Sequence, residues 1–320
     1  MRRVTFEGTD LVSSTVSLGG VALGSKLDEA QSFALMDLYV DRGGNMIDTA
    51  QVYADWLPVE PSVSEKTIGR WMKARNNRNR LIVTTKGAHP RLQTMHVPRM
   101  SPQDIAQDVE DSLKRLQVET IDLYWLHRDD RTRDAGEILE TLNEQAKAGN
   151  IRYFGCSNWT VERIREAQEY AAKHRLQPFS GNQMMWSLAS VDAPKLNDPT
   201  LAPMDEAMRR YHLETGLAAI PYASQAQGLF AKLDSGALAL DDERVAPHYR
   251  VEDNRRKLEC IRSIAANKSL TCTQVALGYL LSQPFPTIPI VGCRTREQLE
   301  DCLRADDVRF TAEELDFLSL

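Results

Sequence analysis

Short apolar runs alternate with amphipathic segments from one end of this chain to the other, and no other feature constrains its fold as strongly. The apolar runs have the length of buried β-strands, and the segments between them repeat apolar residues at helical spacing. Eight such runs, each followed by a helix pattern, favour parallel strands that close into a barrel. The runs cover residues 16–18, 46–47, 81–85, 121–126, 153–155, 179–182, 218–222 and 287–291.

Several helices have recognisable start and stop signals. Ser101 followed by Pro102 is an N-cap with a proline at the first helical position, and Thr160 is a second N-cap. Capping boxes are expected at two further helix starts, and glycines are expected to end two helices. These signals are Thr271 with Gln274, Thr311 with Glu314, Gly43–Gly44 and Gly149.

A doubly wound open sheet is the competing arrangement for alternating strands and helices. Such a sheet commonly carries a G-x-G-x-x-G turn after its first strand, whereas residues 18–24 read LGGVALG. The predicted fold class is therefore α/β, a single (β/α)8 TIM barrel, preceded by a β-hairpin at residues 3–6 and 11–16. The length of 320 residues is normal for one barrel, so we expect residues 1–320 to form one domain. Irregular stretches are expected to be its loops, at 55–64, 187–203 and 235–250.

Composition narrows the classes of function. The net charge of −6 is modest, and no basic block indicates nucleic acid. No apolar run approaches the roughly 18 residues that cross a bilayer, and the N-terminus lacks a signal-peptide core. The five cysteines are scattered without a C-x-x-C pair, and the sequence shows no useful spacing of metal ligands. We therefore expect a reduced, cytoplasmic protein that binds neither nucleic acid nor membrane.

Ionisable residues stand at the carboxyl ends of three successive predicted strands. Asp48 ends the second strand, Lys86 the third and His127 the fourth, and Tyr53 lies one short turn beyond Asp48. Taken singly, each has an ordinary explanation as a solvated, packed or chain-turning residue. Because all strands of a barrel end at the same mouth, the four side chains should nevertheless converge there. Because all four residues occur at the same end of consecutive strands, a functional site is a better interpretation than chance placement.

This set of residue types suits the polarisation of a carbonyl group. A phenol is a weak acid at neutral pH, and a buried ammonium beside it favours the phenolate. We therefore expect Lys86 to lower the pKa of Tyr53, which donates its proton to a developing alkoxide, while Asp48 holds Lys86 charged. His127 is expected to donate a hydrogen bond to the carbonyl oxygen. The set contains no nucleophile, so the reaction needs a hydride from elsewhere.

In their order along the chain, these motifs resemble the aldo-keto reductase superfamily over nearly the whole sequence, from Leu18 to Gln298. The strongest pieces read DTAQVY, SEKTIG, TTK and IDLYWLH, at residues 48–53, 64–69, 84–86 and 121–127. Shorter pieces read GCSN, NQ and IPIVG, at residues 155–158, 182–183 and 288–292. The resemblance implies a barrel that binds a nicotinamide cofactor without a Rossmann motif, with Asp48, Tyr53, Lys86 and His127 as its catalytic set.

The same resemblance implies where the cofactor binds. Ser157, Asn158 and Gln183 match residues that hold the carboxamide of the nicotinamide ring, and Tyr222 matches the aromatic residue that stacks on it. The other implied contacts lie after the first strand, along the pyrophosphate and at the adenosine site. They are Gly20, Ala223, Ser224, Gln225, Gly292, Arg294, Gln298 and Asp301.

Arg294 and Thr295 favour NADP(H) over NAD(H). Thr295 is expected to be a helix N-cap, so free backbone N–H groups would face a 2′-phosphate, and Arg294 offers a planar fork suited to that group. A solvated Arg294 is the competing interpretation. The chain also departs from the family pattern, with Ala54 after Tyr53 where glycine is usual. Further along, Ala223 replaces a common serine, and Cys302, beside Asp301, replaces a common asparagine.

Substrate choice is expected to lie in the loops above the barrel mouth. The substrate candidates are Trp56, His89, Arg128 and Trp186, with Val21, Trp125, Asp129 and Trp159 nearby. Flat aromatic faces beside polar edges suit sugar-like carbonyls, which we favour slightly over a broad range of aldehydes and ketones. Trp125 is equally compatible with a core position, since it alternates with Tyr124 on a strand.

Three functions are compatible with these residues. The first is reversible, NADP(H)-dependent reduction of a small-molecule carbonyl to an alcohol, and the second is a cofactor-binding partner subunit with little chemistry of its own. The third is an isomerase or lyase that uses Lys86 in a Schiff base, which requires an unpaired amine and is opposed by Asp48. The physiological substrate, the reaction direction and the oligomeric state stay open.

Overall fold

Eight parallel strands form the central sheet of the computed structural model, which describes residues 1–319. An antiparallel hairpin of two strands precedes them. The hairpin strands are β1 (Arg3–Thr5) and β2 (Val12–Ser14). The sheet strands are β3 (Ser17–Gly19), β4 (Met46–Asp48), β5 (Ile82–Gly87), β6 (Ile121–Leu126), β7 (Ile151–Ser157), β8 (Gly181–Gln183), β9 (Ala218–Ala219) and β10 (Ile290–Val291).

The sheet closes into a barrel. Strands β3 to β9 pair with their neighbours in sequence order, and β10 pairs with the outer edge of β3. The remaining gap is closed by a parallel bridge between Ala219 and Thr287, with a backbone hydrogen bond of 2.9 Å from Ile288 N to Ala219 O. The predicted (β/α)8 barrel with its N-terminal hairpin is therefore confirmed.

Helices follow the strands and cover the outside of the barrel. They are α1 (Glu29–Asp41), α2 (Val63–Arg75), α3 (Pro102–Leu116), α4 (Ala135–Lys147), α5 (Val161–His174), α6 (Glu206–Thr215), α7 (Leu229–Asp234), α8 (Asp253–Lys268), α9 (Cys272–Leu281), α10 (Arg296–Arg304) and α11 (Ala312–Ser319). Helices α7 to α9 all lie between β9 and β10, where the other crossings use one helix each. Throughout residues 1–319, no helix combines the length and the apolar character that a membrane crossing requires.

The predicted helix ends are confirmed where they were specified. The Ser101 side chain accepts a hydrogen bond of 3.1 Å from Asp104 N at the start of α3. Thr271 and Gln274 form a complete capping box at α9. Gly43 and Gly149 have φ angles of +87° and +80° just beyond α1 and α4, a conformation that glycine adopts without strain.

Two strand predictions are too long, for a reason visible in the sequence. Residues 218–222 and 287–291 contain only the two-residue strands β9 and β10. Pro221 and Pro289 lie within these segments, and a proline has no N–H to donate to a ladder. Each still accepts at its carbonyl, from Ile290 N at 2.9 Å and from Ser17 N at 3.0 Å. The short strands leave the chain free to turn outward at the barrel mouth.

Two apolar layers hold the barrel together, and further apolar clusters pack helices α7 to α9. The larger layer lies between the sheet and the surrounding helices, and includes Ile105, Val109 and Leu116 on one face of α3. The inner layer fills the barrel around Trp125, and Phe6 and Leu11 of the hairpin join it. The hairpin therefore covers the amino-terminal end of the barrel, which leaves the carboxyl-terminal end for the loops and the candidate site.

Candidate active site

A buried ion pair lies at the base of the site. Lys86 Nζ in β5 is 2.5 Å from Asp48 Oδ2 at the end of β4 and donates to Thr49 O at 2.7 Å. The Lys86 and Asp48 side chains are 2% and 0% exposed. Asp48 Oδ1 accepts from Thr84 at 2.8 Å and from Gln183 at 2.7 Å. Because the Lys86 amine is paired rather than free, this geometry opposes a Schiff-base role.

Tyr53 and His127 face this ion pair. Lys86 Nζ is 4.7 Å from the centre of the Tyr53 ring, and the rings of Tyr53 and His127 are 6.0 Å apart and nearly perpendicular. Strands β4, β5 and β6 are neighbours in the sheet, so their carboxyl ends bring the four residues together. The convergence expected from the sequence is therefore present, although Tyr53 comes from the turn after β4.

The pKa of Tyr53 is raised in this structure, not lowered as the sequence led us to expect. Burial is the largest cause that raises the pKa of Tyr53 well above its ordinary value of 10.0, and the charge of Asp48 raises it further. Lys86 does not reverse this rise, although its ammonium lies 4.7 Å from the ring centre, and it is paired with Asp48 at 2.5 Å. The group that opposes the rise is Arg128. Tyr53 is thus held in its protonated form, which a proton donor requires.

Two neutral histidines line the site. Burial is the main cause that lowers the pKa of His127 well below 6.5, and the charge of Arg128 adds to the effect. The same two causes lower the pKa of His89 to about 4. The two rings lie 4.7 Å apart, and His127 Nδ1 is buried with no hydrogen-bond partner among the described residues. A neutral imidazole carries one N–H, which suits a hydrogen bond to a substrate oxygen.

Arg128, a predicted substrate residue, lies beside His127 with its side chain 11% exposed. Its Nη1 donates to the His127 carbonyl oxygen at 2.8 Å, and its Nη2 lies 2.9 Å from Asp198 Oδ2. Asp198 was not among the sequence candidates. It lies 70 residues away in the loop 187–203, and no local motif relates the two positions.

The predicted tryptophan pocket is wrong. Trp186 packs at 5.9 Å against Phe285 in a small apolar cluster between the barrel and α9. Trp125 fills the barrel interior, and Trp159 is fully buried against Phe179 at 5.2 Å. Only Trp56, 54% exposed in the loop after β4, remains available to a ligand. These rings are large enough to fill gaps in the core, and packing there outweighs their use at the mouth.

The residues expected at the nicotinamide end are gathered in one place. Asn158 donates from Nδ2 to Ser157 Oγ at 3.0 Å and accepts at Oδ1 from the Tyr222 hydroxyl at 2.5 Å. Gln183 donates to Asp48, which leaves its Oε1 buried without a partner in residues 1–319. An unpaired buried acceptor fits the N–H groups of a carboxamide.

The residues expected at the adenosine end divide into two groups. A Cβ added at Gly292 would meet no atom within 4 Å, so this strand end leaves room for close approach of a ligand. Thr295 caps α10, as expected, and Arg294 is exposed beside it. Gln298 accepts from Arg294 N at 2.9 Å, which fixes the turn. These residues suit an anionic group at the N-terminus of α10.

Other predicted cofactor contacts have structural roles in the described chain. Asp301 accepts from Thr271 at 2.9 Å and from Gln274 at 2.7 Å, so it supports the start of α9. Ser224 donates to Ile290 O at 2.6 Å, and Gln225 donates to Cys302 Sγ at 3.0 Å. Gly20 is required by packing, because a Cβ there would lie 2.8 Å from Ser64 Oγ. Ala223 has a φ angle of +53°, where the backbone turns after Tyr222.

Barrels of this type carry their chemistry at the carboxyl ends of their strands. This chain gathers its buried ion pair and two neutral histidines there, which puts it among the α/β-barrel enzymes. Within residues 1–319, no group of three or more His, Cys, Asp or Glu side chains is arranged to hold a metal ion.

Comparison with known proteins agrees with this class. The model of the aldo/keto reductase family matches residues 15–318, so the chain belongs to that family of oxidoreductases. It is 27% identical to an aryl-alcohol dehydrogenase of Pestalotiopsis microspora, over 94% of this chain and 77% of that protein. It is 28% identical to an aryl-alcohol dehydrogenase [NADP(+)] of Phanerodontia chrysosporium, over 98% and 83%. A norsolorinic acid reductase of Aspergillus flavus is 26% identical over 94% and 76%.

Proposed function

We propose that this protein reduces aldehydes or ketones to alcohols with NADP(H) as cofactor and Tyr53 as the proton donor. The observation that carries the proposal is the packing of Tyr53 over the Lys86–Asp48 ion pair, with Lys86 Nζ 4.7 Å from the ring centre. NADP(H), when bound, supplies the hydride. The family assignment supports carbonyl reduction as the class of reaction.

The side chains divide the remaining work. Neutral His127 donates a hydrogen bond to the carbonyl oxygen and orients it toward the Tyr53 hydroxyl. As negative charge develops on that oxygen, Tyr53 transfers its proton, and the nearby Lys86 ammonium stabilises the phenolate that remains. Asp48 holds Lys86 in place, since an ammonium that is only 2% exposed would otherwise tend to lose its proton.

The preference for NADP(H) rests on the α10 N-terminus. Exposed Arg294 stands next to the capped first turn of α10, where backbone N–H groups and a guanidinium together suit a 2′-phosphate. One relative carries NADP(+) in its name, which supports the same choice. The five cysteines are all free thiols, and this supports a reducing, cytoplasmic location.

We propose aromatic and other apolar carbonyl compounds as substrates in preference to sugars. Three tryptophans of the sugar hypothesis are core residues. The loops after β3, β4 and β5 instead expose large apolar side chains, namely Val21 at 41%, Trp56 at 54%, Met95 at 37% and Val97 at 47%. An apolar rim favours a ligand with apolar surface to bury. Two relatives named for aryl-alcohol oxidation support the same substrate class.

The test combines cofactor binding with turnover. Wild-type protein should show a larger thermal shift with NADPH than with NADH, and should consume NADPH when given aromatic aldehydes. Tyr53→Phe should lose turnover by at least about a hundredfold, because it removes the proton donor, while it keeps the NADPH-induced thermal shift. Full turnover in Tyr53→Phe would remove Tyr53 from the mechanism. NADPH binding without turnover of any carbonyl would indicate a cofactor-binding partner subunit instead.

A further inference from the structure

Arg128 has an environment that its structural contacts do not explain. Its guanidinium is largely buried beside the catalytic candidates, with the side chain 11% exposed. Two of its nitrogens have partners, the His127 carbonyl oxygen and Asp198. The third, Nε, is buried and has no hydrogen-bond partner in the described chain. A buried charged donor is costly to leave unpaired, so an acceptor that the protein does not supply is expected nearby.

Of the two cations in the site, Arg128 has the partner that a substrate anion can replace more easily. Lys86 is committed to Asp48, and both side chains are fully enclosed. Asp198, the partner of Arg128, is 23% exposed and lies on the loop 187–203. Its Oδ1 is held by Thr200 at 2.5 Å, which leaves Oδ2 as the oxygen that faces Arg128. The charge of Arg128 reaches the reacting groups, since it lowers the pKa of Tyr53 and of His127.

We propose that Arg128 is a second binding point for the substrate, and that the enzyme selects carbonyl compounds which carry an acidic oxygen, as a carboxylate or a phenolate, near the reacting carbonyl. This inference rests on the proposed function, because it concerns the same site. The substrate oxygen takes the place of Asp198 Oδ2 on the guanidinium, and Asp198, already at the protein surface, regains water.

Exchange of one anion for another explains why such binding is favourable. The guanidinium keeps one anionic partner throughout, so no additional buried charge is left uncompensated. The planar guanidinium also offers its unpaired Nε–H as a donor. A carboxylate can therefore accept two hydrogen bonds from it, one at each oxygen. A neutral carbonyl compound cannot displace Asp198 and gains only the apolar contacts of the rim. The enzyme therefore discriminates between an acid and its neutral ester or ether.

The experiment measures kcat/KM with NADPH for matched substrate pairs. One pair is 3-carboxybenzaldehyde and its methyl ester. The other pair is salicylaldehyde and 2-methoxybenzaldehyde, measured at a pH above the pKa of the salicylaldehyde phenol. Wild-type enzyme should prefer the acidic member of at least one pair by about tenfold or more, as expected for a contact to a charged group. The pair that shows the preference distinguishes a carboxylate from a phenolate.

Two variants separate substrate binding from a structural role of the ion pair. Arg128→Gln should bring the acid-to-neutral ratio within about twofold of one, since the anchor is lost. Asp198→Asn should raise the ratio by about threefold or more, because it removes the internal competitor. Asp192→Asn is the matched control on the same loop, where Asp192 pairs with Lys195 at 2.7 Å on the surface, and it should leave the ratio unchanged. If the pair only holds the loop, both Arg128→Gln and Asp198→Asn act on all substrates alike.

Several results would overturn the inference. A wild-type ratio near one for both pairs, with neutral aldehydes still reduced, contradicts it while the proposed function stands. A ratio that falls in Asp198→Asn contradicts the exchange of anions. If Arg128→Gln shows no thermal unfolding transition, the opposite shift expected in Asp198→Asn still decides the question. Failure of wild-type enzyme to reduce any carbonyl would instead count against the proposed function.

Discussion

The pKa of Tyr53 depends on burial and on the charged residues around it, among which Lys86 is paired with Asp48. The Lys86 ammonium lies 4.7 Å from the centre of the Tyr53 ring and is paired with the carboxylate of Asp48 at 2.5 Å. Burial then dominates, and the pKa of Tyr53 rises. Arg128 favours the phenolate and so opposes this rise, but its charge does not outweigh burial and Asp48. Tyr53 is therefore a weak acid that stays protonated until the developing alkoxide takes its proton.

This balance predicts the pH profile of carbonyl reduction. The proton donor must be protonated, and a pKa of Tyr53 above 10.0 keeps it so through the neutral and mildly alkaline range. His127 must be neutral, and its pKa lies well below 6.5. We therefore expect kcat for reduction to be flat from pH 6.5 to about pH 10, measured with NADPH at saturating substrate. An alkaline decline centred below pH 9 would indicate that Lys86 does lower the pKa of Tyr53.

Among the elements, the carboxyl ends of β4, β5 and β6 were the most predictable part of the site. Position along a strand is readable from sequence, and parallel strands share one mouth, so Asp48, Lys86 and His127 could be brought together without coordinates. The direction of a side chain in a loop is set by tertiary packing instead. Trp186 therefore turned out to pack against Phe285.

Contacts between distant loops were not predictable at all. The pairing of Arg128 with Asp198 joins residues 70 positions apart, and neither lies in a motif that names its partner. The hydrogen bonds of Asp301 were not predictable for a related reason, because they depend on how α10 packs beside the start of α9. Spacing along the chain carries no information about such neighbours.

One glycine inside a strand and one just after a strand distinguish packing from ligand access. In β7, a Cβ at Gly155 would lie 2.3 Å from Trp125 and 2.5 Å from Gly181 O, whereas a Cβ at Gly292 after β10 would meet nothing. Gly155→Ala should lower the free energy of unfolding by about 1–3 kcal/mol through overpacking, as measured by urea denaturation. Gly292→Ala should leave that energy unchanged within about 0.5 kcal/mol. If Gly292 faces NADPH, the latter variant should nevertheless show a weaker NADPH-induced thermal shift, and an unchanged shift would contradict that placement.

For the molecule as a whole, the buried histidines couple stability to pH. Burial lowers the pKa of His89, His127, His212 and His248, so the folded state binds fewer protons at these positions than the unfolded chain. Their contribution to stability is complete above the unfolded pKa of 6.5 and is lost as the pH falls through the folded values. Acid therefore lowers the free energy of unfolding, and two of these histidines, His89 and His127, lie 4.7 Å apart at the barrel mouth.

His89 allows this coupling to be measured. Burial lowers the pKa of His89 from 6.5 to about 4. Each pKa unit corresponds to 1.36 kcal/mol, so the free energy of unfolding falls by at most about 3 kcal/mol between pH 6.5 and pH 4. We expect the free energy of unfolding from urea titrations to decrease from pH 6.5 toward pH 4, and His89→Gln to remove about that much of the decrease. His96→Gln is the matched control, because His96 is exposed in the same loop. Parallel pH curves for His89→Gln and the wild type would mean that His89 takes up its proton equally in the folded and unfolded states.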